Sequence, residues 1–129
     1  MFKCIKCAKC CYNTEMILLK SDIARLKAAG YRLSDVAVKV EGNYYRLRNI
    51  DGHCVFLDPD TNLCKIYENR PLGCRLYPIV IAVDTLEVTV DTDCPMSHTV
   101  TLDDILSRRE LLLKILRELV EMGIVGKRL

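Results

Sequence analysis

The sequence predicts an α+β fold: a small, mostly antiparallel sheet, a short helix near the N-terminus and a long C-terminal helix packed on it. Three observations lead there. Short apolar runs punctuated by turn residues fill the middle of the chain, a leucine-rich helical stripe fills its end, and eight cysteines lie between Cys4 and Cys94. The cysteines imply that metal ligation stabilises the fold.

In chain order, residues 15–20 (EMILLK) form a short apolar run with strand character. Ser21 stands as a helix N-cap before SDIARLKAAG, with Ile23, Leu26 and Lys27 at helical spacing and Gly30 as the stop. Residues 31–43 show no clear period. NYYRLR (43–48), the turn NIDG and HCVFL (53–57) read as strand, turn, strand. HCVFL then leads through DPDTN (58–62) into LCKIY (63–67) as a second hairpin. PIVIAVD (78–84) and LEVTVD (86–91) form another strand pair. Thr101 with Asp104 has the form of a capping box, and Leu102, Ile105, Leu106, Leu112, Leu113, Leu116, Leu119 and Val120 carry a helical stripe to Gly123. Leu111, Ile115 and Met122 widen it beyond one face.

At 129 residues the chain fits a single domain over 1–129. Nineteen basic against seventeen acidic residues leave a net charge of +2, which gives no electrostatic footprint for nucleic acid. Lys3, Lys6 and Lys9 interrupt the N-terminus, so no signal peptide is visible, and no apolar run is long enough to span a bilayer. The expectation is a cytoplasmic protein with no membrane association, where structural disulfides are rare and cysteines serve as metal ligands.

MFKCIKCAKCCY places Cys4, Cys7, Cys10 and Cys11 within eight positions. C-x-x-C spacing lets a chain curl so that successive sulfurs face one centre, as in zinc knuckles; a run of three favours a cubane iron–sulfur cluster over a single zinc. Cys10 and Cys11 are adjacent, and adjacent side chains of an extended segment point apart. Cys4, Cys7 and Cys10 therefore form one set, with Cys11 turned toward a second or buried as an inert thiol. Cys54, Cys64 and Cys74 follow at ten-residue intervals. A tight hairpin centred near Pro59 would set Cys54 opposite Cys64, which suits two ligands of one metal. Cys74 sits in ENRPLGCRLYP, where Pro71 and Gly73 build a turn that presents it. Arg70 and Arg75 flank that sulfur and can stabilise a thiolate or an anionic cluster, with Tyr77 as a hydrogen-bond donor; the alternative is that both arginines pair with Glu68 and Asp58 at the surface.

Taken together, F-x-C-x-x-C-x-x-C-C (Phe2–Cys11), G-x-C-x-F-L (Gly52–Leu57), L-C-x-I-Y-x-x-R-P (Leu63–Pro71) and G-C-R-x-Y-P (Gly73–Pro78) resemble the CxxCxxCC family of zinc- or iron-chelating cysteine-cluster domains, the YkgJ-like group. The resemblance reaches from residue 2 to about Cys94. It implies a metal-chelating domain with Cys4, Cys7, Cys10, Cys11, Cys54, Cys64, Cys74 and Cys94 as ligands.

No hydrolytic constellation is visible around the two histidines, His53 and His98. No glycine-rich loop would cradle a nucleotide-like donor. Surplus thiols leave no open coordination position, and a closed site points to structure or electron transfer. The expected cofactor is an iron–sulfur cluster of the [4Fe-4S] type, with zinc as the alternative. The expected role is electron transfer or redox sensing with an unidentified protein or redox partner. The alternative role is a zinc-stabilised interaction or chaperone-like module. A thiol–disulfide oxidoreductase ranks last, because a redox pair does not need eight thiols.

Overall fold

A computed structural model describes residues 11–40, 44–82, 85, 87–92 and 94–123. It is built of small antiparallel sheets and helices, the α+β class. Strand β1 (Ile17–Leu18) leads into helix α1 (Lys20–Ala28), followed by a single turn α2 (Leu33–Val36) and strand β2 (Ala37–Val40). Strand β3 (Tyr44–Leu47) lies at the centre of a three-stranded sheet of order β1-β3-β2. Three hairpins follow: β4 (Asn49–Ile50) with β5 (His53–Cys54), β6 (Leu57–Asp58) with β7 (Leu63–Cys64), and β8 (Ile79–Ile81) with β9 (Val88–Val90). Helix α3 (Leu72–Leu76) stands between the last two, and α4 (Leu102–Ser107) and α5 (Arg109–Glu121) end the described chain.

The start of α1 differs from the sequence reading. Leu19, not Ser21, is the N-cap, and Asp22 in the first turn accepts the Leu19 N–H at 2.9 Å. Ser21 lies inside the helix, where its N–H and hydroxyl both donate to Glu118 of α5, at 2.9 and 2.7 Å. The far end follows expectation. Gly30 takes φ +95°, Tyr31 N–H reaches Leu26 O and Gly30 N–H reaches Lys27 O, the paired bonds of a Schellman stop.

The patternless stretch 31–43 contributes α2 and β2, and β2 pairs with the whole of β3. Tyr44–Leu47 was expected to pair with HCVFL; instead it pairs with β1 and β2, and the short β4 takes its place beside β5. Asp51 and Gly52, at φ 52° and 83°, form the tight two-residue turn between β4 and β5.

Among the described residues, two apolar cores result. Leu18, Leu26, Leu47, Phe56, Leu57 and Ile66 form one; Leu19, Leu72, Leu76, Ile79, Leu112, Ile115 and Leu119 form the other. Consecutive residues of an extended segment face opposite ways, so Leu18 feeds the first core and Leu19 the second.

The C-terminal helix is not continuous. Arg108, at φ −106° and ψ 16°, separates α4 from α5. The Thr101–Asp104 capping box is present in both directions, at 2.9 and 3.2 Å. The break shifts the buried stripe to Leu112, Ile115 and Leu119, leaving Leu102, Leu106, Leu113 and Val120 exposed. Among the described residues, no helix is long and apolar enough to cross a membrane.

Candidate metal centre

Cys11, Cys54, Cys64 and Cys74 line a single cavity of about 70 Å³. Each arrives on a different piece of chain, and each piece has its own tether.

Cys11 precedes a segment stitched onto the β4–β5 hairpin. Tyr12 bridges His53 in antiparallel fashion, and Asn13 N–H donates to Gly52 O at 2.8 Å. The Asn49 side chain then grips Thr14 in both directions: its Oδ1 accepts the Thr14 N–H at 3.1 Å, and its Nδ2 donates to the Thr14 carbonyl at 2.9 Å. Thr14 itself lines the cavity. Cys54, buried on β5, is delivered by the Asp51-Gly52 turn.

Cys64 comes from the β6–β7 hairpin. Its turn is shaped by Asp58, whose Oδ1 accepts Asp60 N–H at 3.0 Å, and by Asn62 at φ 58°. Cys54 and Cys64 do not face each other across strands. Cys54 pairs with Asn49 and Cys64 with Leu57. The tight turn at 51–52 folds Cys54 back onto β4, so the ladder of the next hairpin begins two residues later, with Lys65 N–H donating to Phe56 O at 2.7 Å. The two sulfurs share a cavity by the meeting of two hairpins.

Cys74 sits in α3, and α1 holds the chain just ahead of it. Asp22 Oδ1 accepts the Leu72 N–H at 2.9 Å, and Arg25 donates to the Arg70 carbonyl at 3.1 Å. Asp22 is fully buried and ion-paired with Arg25 at 2.6 Å. Burial pushes its carboxyl above the ordinary 3.8, and the bonds from Leu19, Leu72 and Arg25 pull against that rise. Sequence reading passed over this pair; its signal is an Asp and an Arg at i,i+3 in the first turns of a helix.

Arg70 lines the same cavity and is held in place, with its Nε donating to Tyr67 O at 2.9 Å and its guanidinium 3.9 Å from the Tyr67 ring centroid. Leu47, Phe56 and Ile66 supply apolar wall. The other expected site residues lie elsewhere. Arg75 is exposed and donates to the Glu68 carbonyl at 2.7 Å; Tyr77 donates to Asp91 Oδ2 at 2.9 Å; neither lines this cavity. Cys94 is buried but is not part of the wall. His53 Nδ1 lies 3.0 Å from the Cys54 carbonyl as a strand residue, and His98 is exposed. Cys4, Cys7 and Cys10 fall outside the described residues.

Thiolates are the ligands that select zinc and iron–sulfur clusters, so the donor chemistry fits such a group. Among the described residues, no three His, Cys, Asp or Glu side chains converge as a ready-made metal site. The sulfurs share a cavity rather than a common point.

Cysteines drawn from separate segments onto one largely apolar cavity, with Arg70 among its lining residues, define a cysteine-cluster protein. The particular family follows from comparison: the model of the CxxCxxCC family, described as "Putative zinc- or iron-chelating domain", matches residues 3–99, and the chain belongs to that family. It is 37% identical over 100 residues to the uncharacterized protein MJ0661 of Methanocaldococcus jannaschii, a match covering 71% of this chain and 52% of the relative. The chain thus spans about half the length of that curated relative. No solved structure matches.

Proposed function

We propose that the chain binds an iron–sulfur cluster through cysteine thiolates and serves in electron transfer or redox sensing in the cytoplasm. The observation that carries this reading is that Cys11, Cys54, Cys64 and Cys74, from four separate segments, line one cavity together with Arg70. Cys10 adjoins Cys11 in sequence, so Cys4, Cys7 and Cys10 are the natural further ligands, and this many thiols exceeds what one closed zinc site takes. A bound cluster supplies one-electron carriage. The chain's own part is to hold the thiolates, to offset their charge with Arg70, and to exclude water with Leu47, Phe56 and Ile66. The sharing of a core between Leu19, α3 and α5 supports one domain over 1–129.

A second reading is a zinc-stabilised interaction module. It is favoured by Leu102, Leu113 and Val120, which are 70%, 55% and 58% exposed along α4 and α5.

One preparation separates the two. Protein purified without oxygen is examined by visible spectroscopy, with iron, zinc and acid-labile sulfide counted on the same sample. Broad absorbance with matched iron and sulfide supports the cluster. A featureless spectrum with stoichiometric zinc overturns it and supports the interaction module, because zinc is d¹⁰ and has no such bands.

A further inference from the structure

Helix α5 carries two apolar faces. Leu112, Ile115 and Leu119 are buried and share the second core with Leu72, Leu76 and Ile79. Leu113 and Val120 lie on a different face of the same helix and are exposed, and Leu102 and Leu106 are exposed on α4 just ahead of it. A single exposed leucine is ordinary, but a run of large apolar side chains along two adjoining helices marks a contact surface.

The charges beside this face are ordered. Leu113 and Val120 are seven residues apart, which sets them nearly in line on an α-helix, and Glu110 and Arg117 are seven apart as well. At about 100° per residue both charges fall roughly 40–60° to the same side of Leu113. Both are exposed, and neither is ion-paired among the described residues. Leu116, half-buried, and Arg109 flank the other side, and Lys114 and Glu121 lie farther round the helix. One edge of the apolar face therefore runs from negative to positive along the chain, an order complementary to its own reverse.

We infer that α5 packs against α5 of a second copy of this chain, antiparallel across a two-fold axis near Leu113 and Lys114. In that arrangement Glu110 of each copy meets Arg117 of the other, a pair that the symmetry makes twice. Leu113 and Leu116 close the centre, and Val120 comes level with the α4–α5 junction of the other copy, beside Leu106. Antiparallel packing also sets opposite ends of the two helix dipoles side by side. With 13 residues, α5 is about 20 Å long, so the contact is small and the dimer is a weak, reversible one. The pairing rests on the outer face of α5 and does not depend on which metal the cysteines hold.

The test is sedimentation equilibrium on the full chain, purified without oxygen with its metal and kept reduced, from about 5 to 500 µM. The wild type should pass from monomer to dimer across this range. Leu113→Glu, at an exposed position, should keep the wild-type circular dichroism and remain monomeric throughout. Glu110→Arg and Arg117→Glu each set like charges together at two symmetry-related places and should each weaken dimerisation about tenfold. Both substitutions in one chain restore opposite charges and should return the affinity to within about threefold of wild type. A monomer at every concentration would overturn the inference and leave the face to a different protein. So would a dimer that Leu113→Glu does not disrupt, or a double variant that dimerises no better than the single ones.

Discussion

The carboxylate of Asp22 joins two elements fifty residues apart in the chain: Oδ1 accepts the Leu72 N–H and Oδ2 the Leu19 N–H, each at 2.9 Å. One buried side chain thus closes the start of α1 and fixes the start of α3, the helix that carries Cys74. Asp22→Ala would strand two backbone donors and the Arg25 guanidinium. Denaturant unfolding should show a loss of about 3 kcal/mol, and metal retained after desalting should fall with it.

The same residue gives a pH signature. Burial raises its folded-state value above 3.8, so the folded protein holds that proton more tightly than the unfolded chain. Its contribution is therefore fully present below about 3.8 and is lost as pH rises through the raised value. Stability of wild type minus that of Asp22→Asn, followed by urea melts between about pH 3.5 and 7, should decline with rising pH. A difference that grows with pH would show the opposite shift.

Ligand roles divide the cysteines. Cys54→Ser, Cys64→Ser and Cys74→Ser should each lower bound metal per chain, because all three line the cavity. Cys94→Ser, away from that wall, should keep wild-type metal content. Metal analysis of the four variants after anaerobic purification decides this; loss of metal in Cys94→Ser alone would move the centre.

Asn49 is the clamp on the segment that brings Cys11 in. Asn49→Ala removes both bonds to Thr14 and should cost about 2 kcal/mol in thermal or urea unfolding. Chelator should strip metal from this variant faster than from wild type, since only the tether of Cys11 has been cut.

Glu118 crosses from α5 to the Ser21 amide and hydroxyl in the first turn of α1. Glu118→Gln keeps the shape and removes the charge facing a helix N-terminus, so unfolding should be about 1 kcal/mol easier. Ser21→Ala should cost less, since the backbone bond from Ser21 survives.

Much of the fold could be read locally. Gly30 as a helix stop, the Thr101–Asp104 box, the turn at 58–62 and the β8–β9 pair all rest on residues within a few positions of one another. What could not be read were pairings between distant segments. Nothing local in Ala37–Val40 says that it will lie beside Tyr44–Leu47 while Ile17–Leu18 takes the other edge. The site shows the same division. The cysteines announced themselves by spacing, and Arg70 by its place near Cys74. The register of Cys54 against Cys64 was misread because Asp51-Gly52 diverts Cys54 into a different hairpin. Asp22 and Arg25 show only a common i,i+3 helix pair and Asn49 shows no pattern at all; their contacts to Leu72, Arg70 and Thr14 exist only once the elements meet.

The stretch from Cys11 to Asp22 acts as a ruler. Along it, Cys11 meets the thiol cavity, Leu18 enters one core, Leu19 the other, and Asp22 reaches Leu72. Adding or deleting one residue in its extended part, ahead of Lys20, would swap the faces on which Leu18 and Leu19 lie. The length of this segment is therefore as fixed by the fold as the Asp22 side chain at its end.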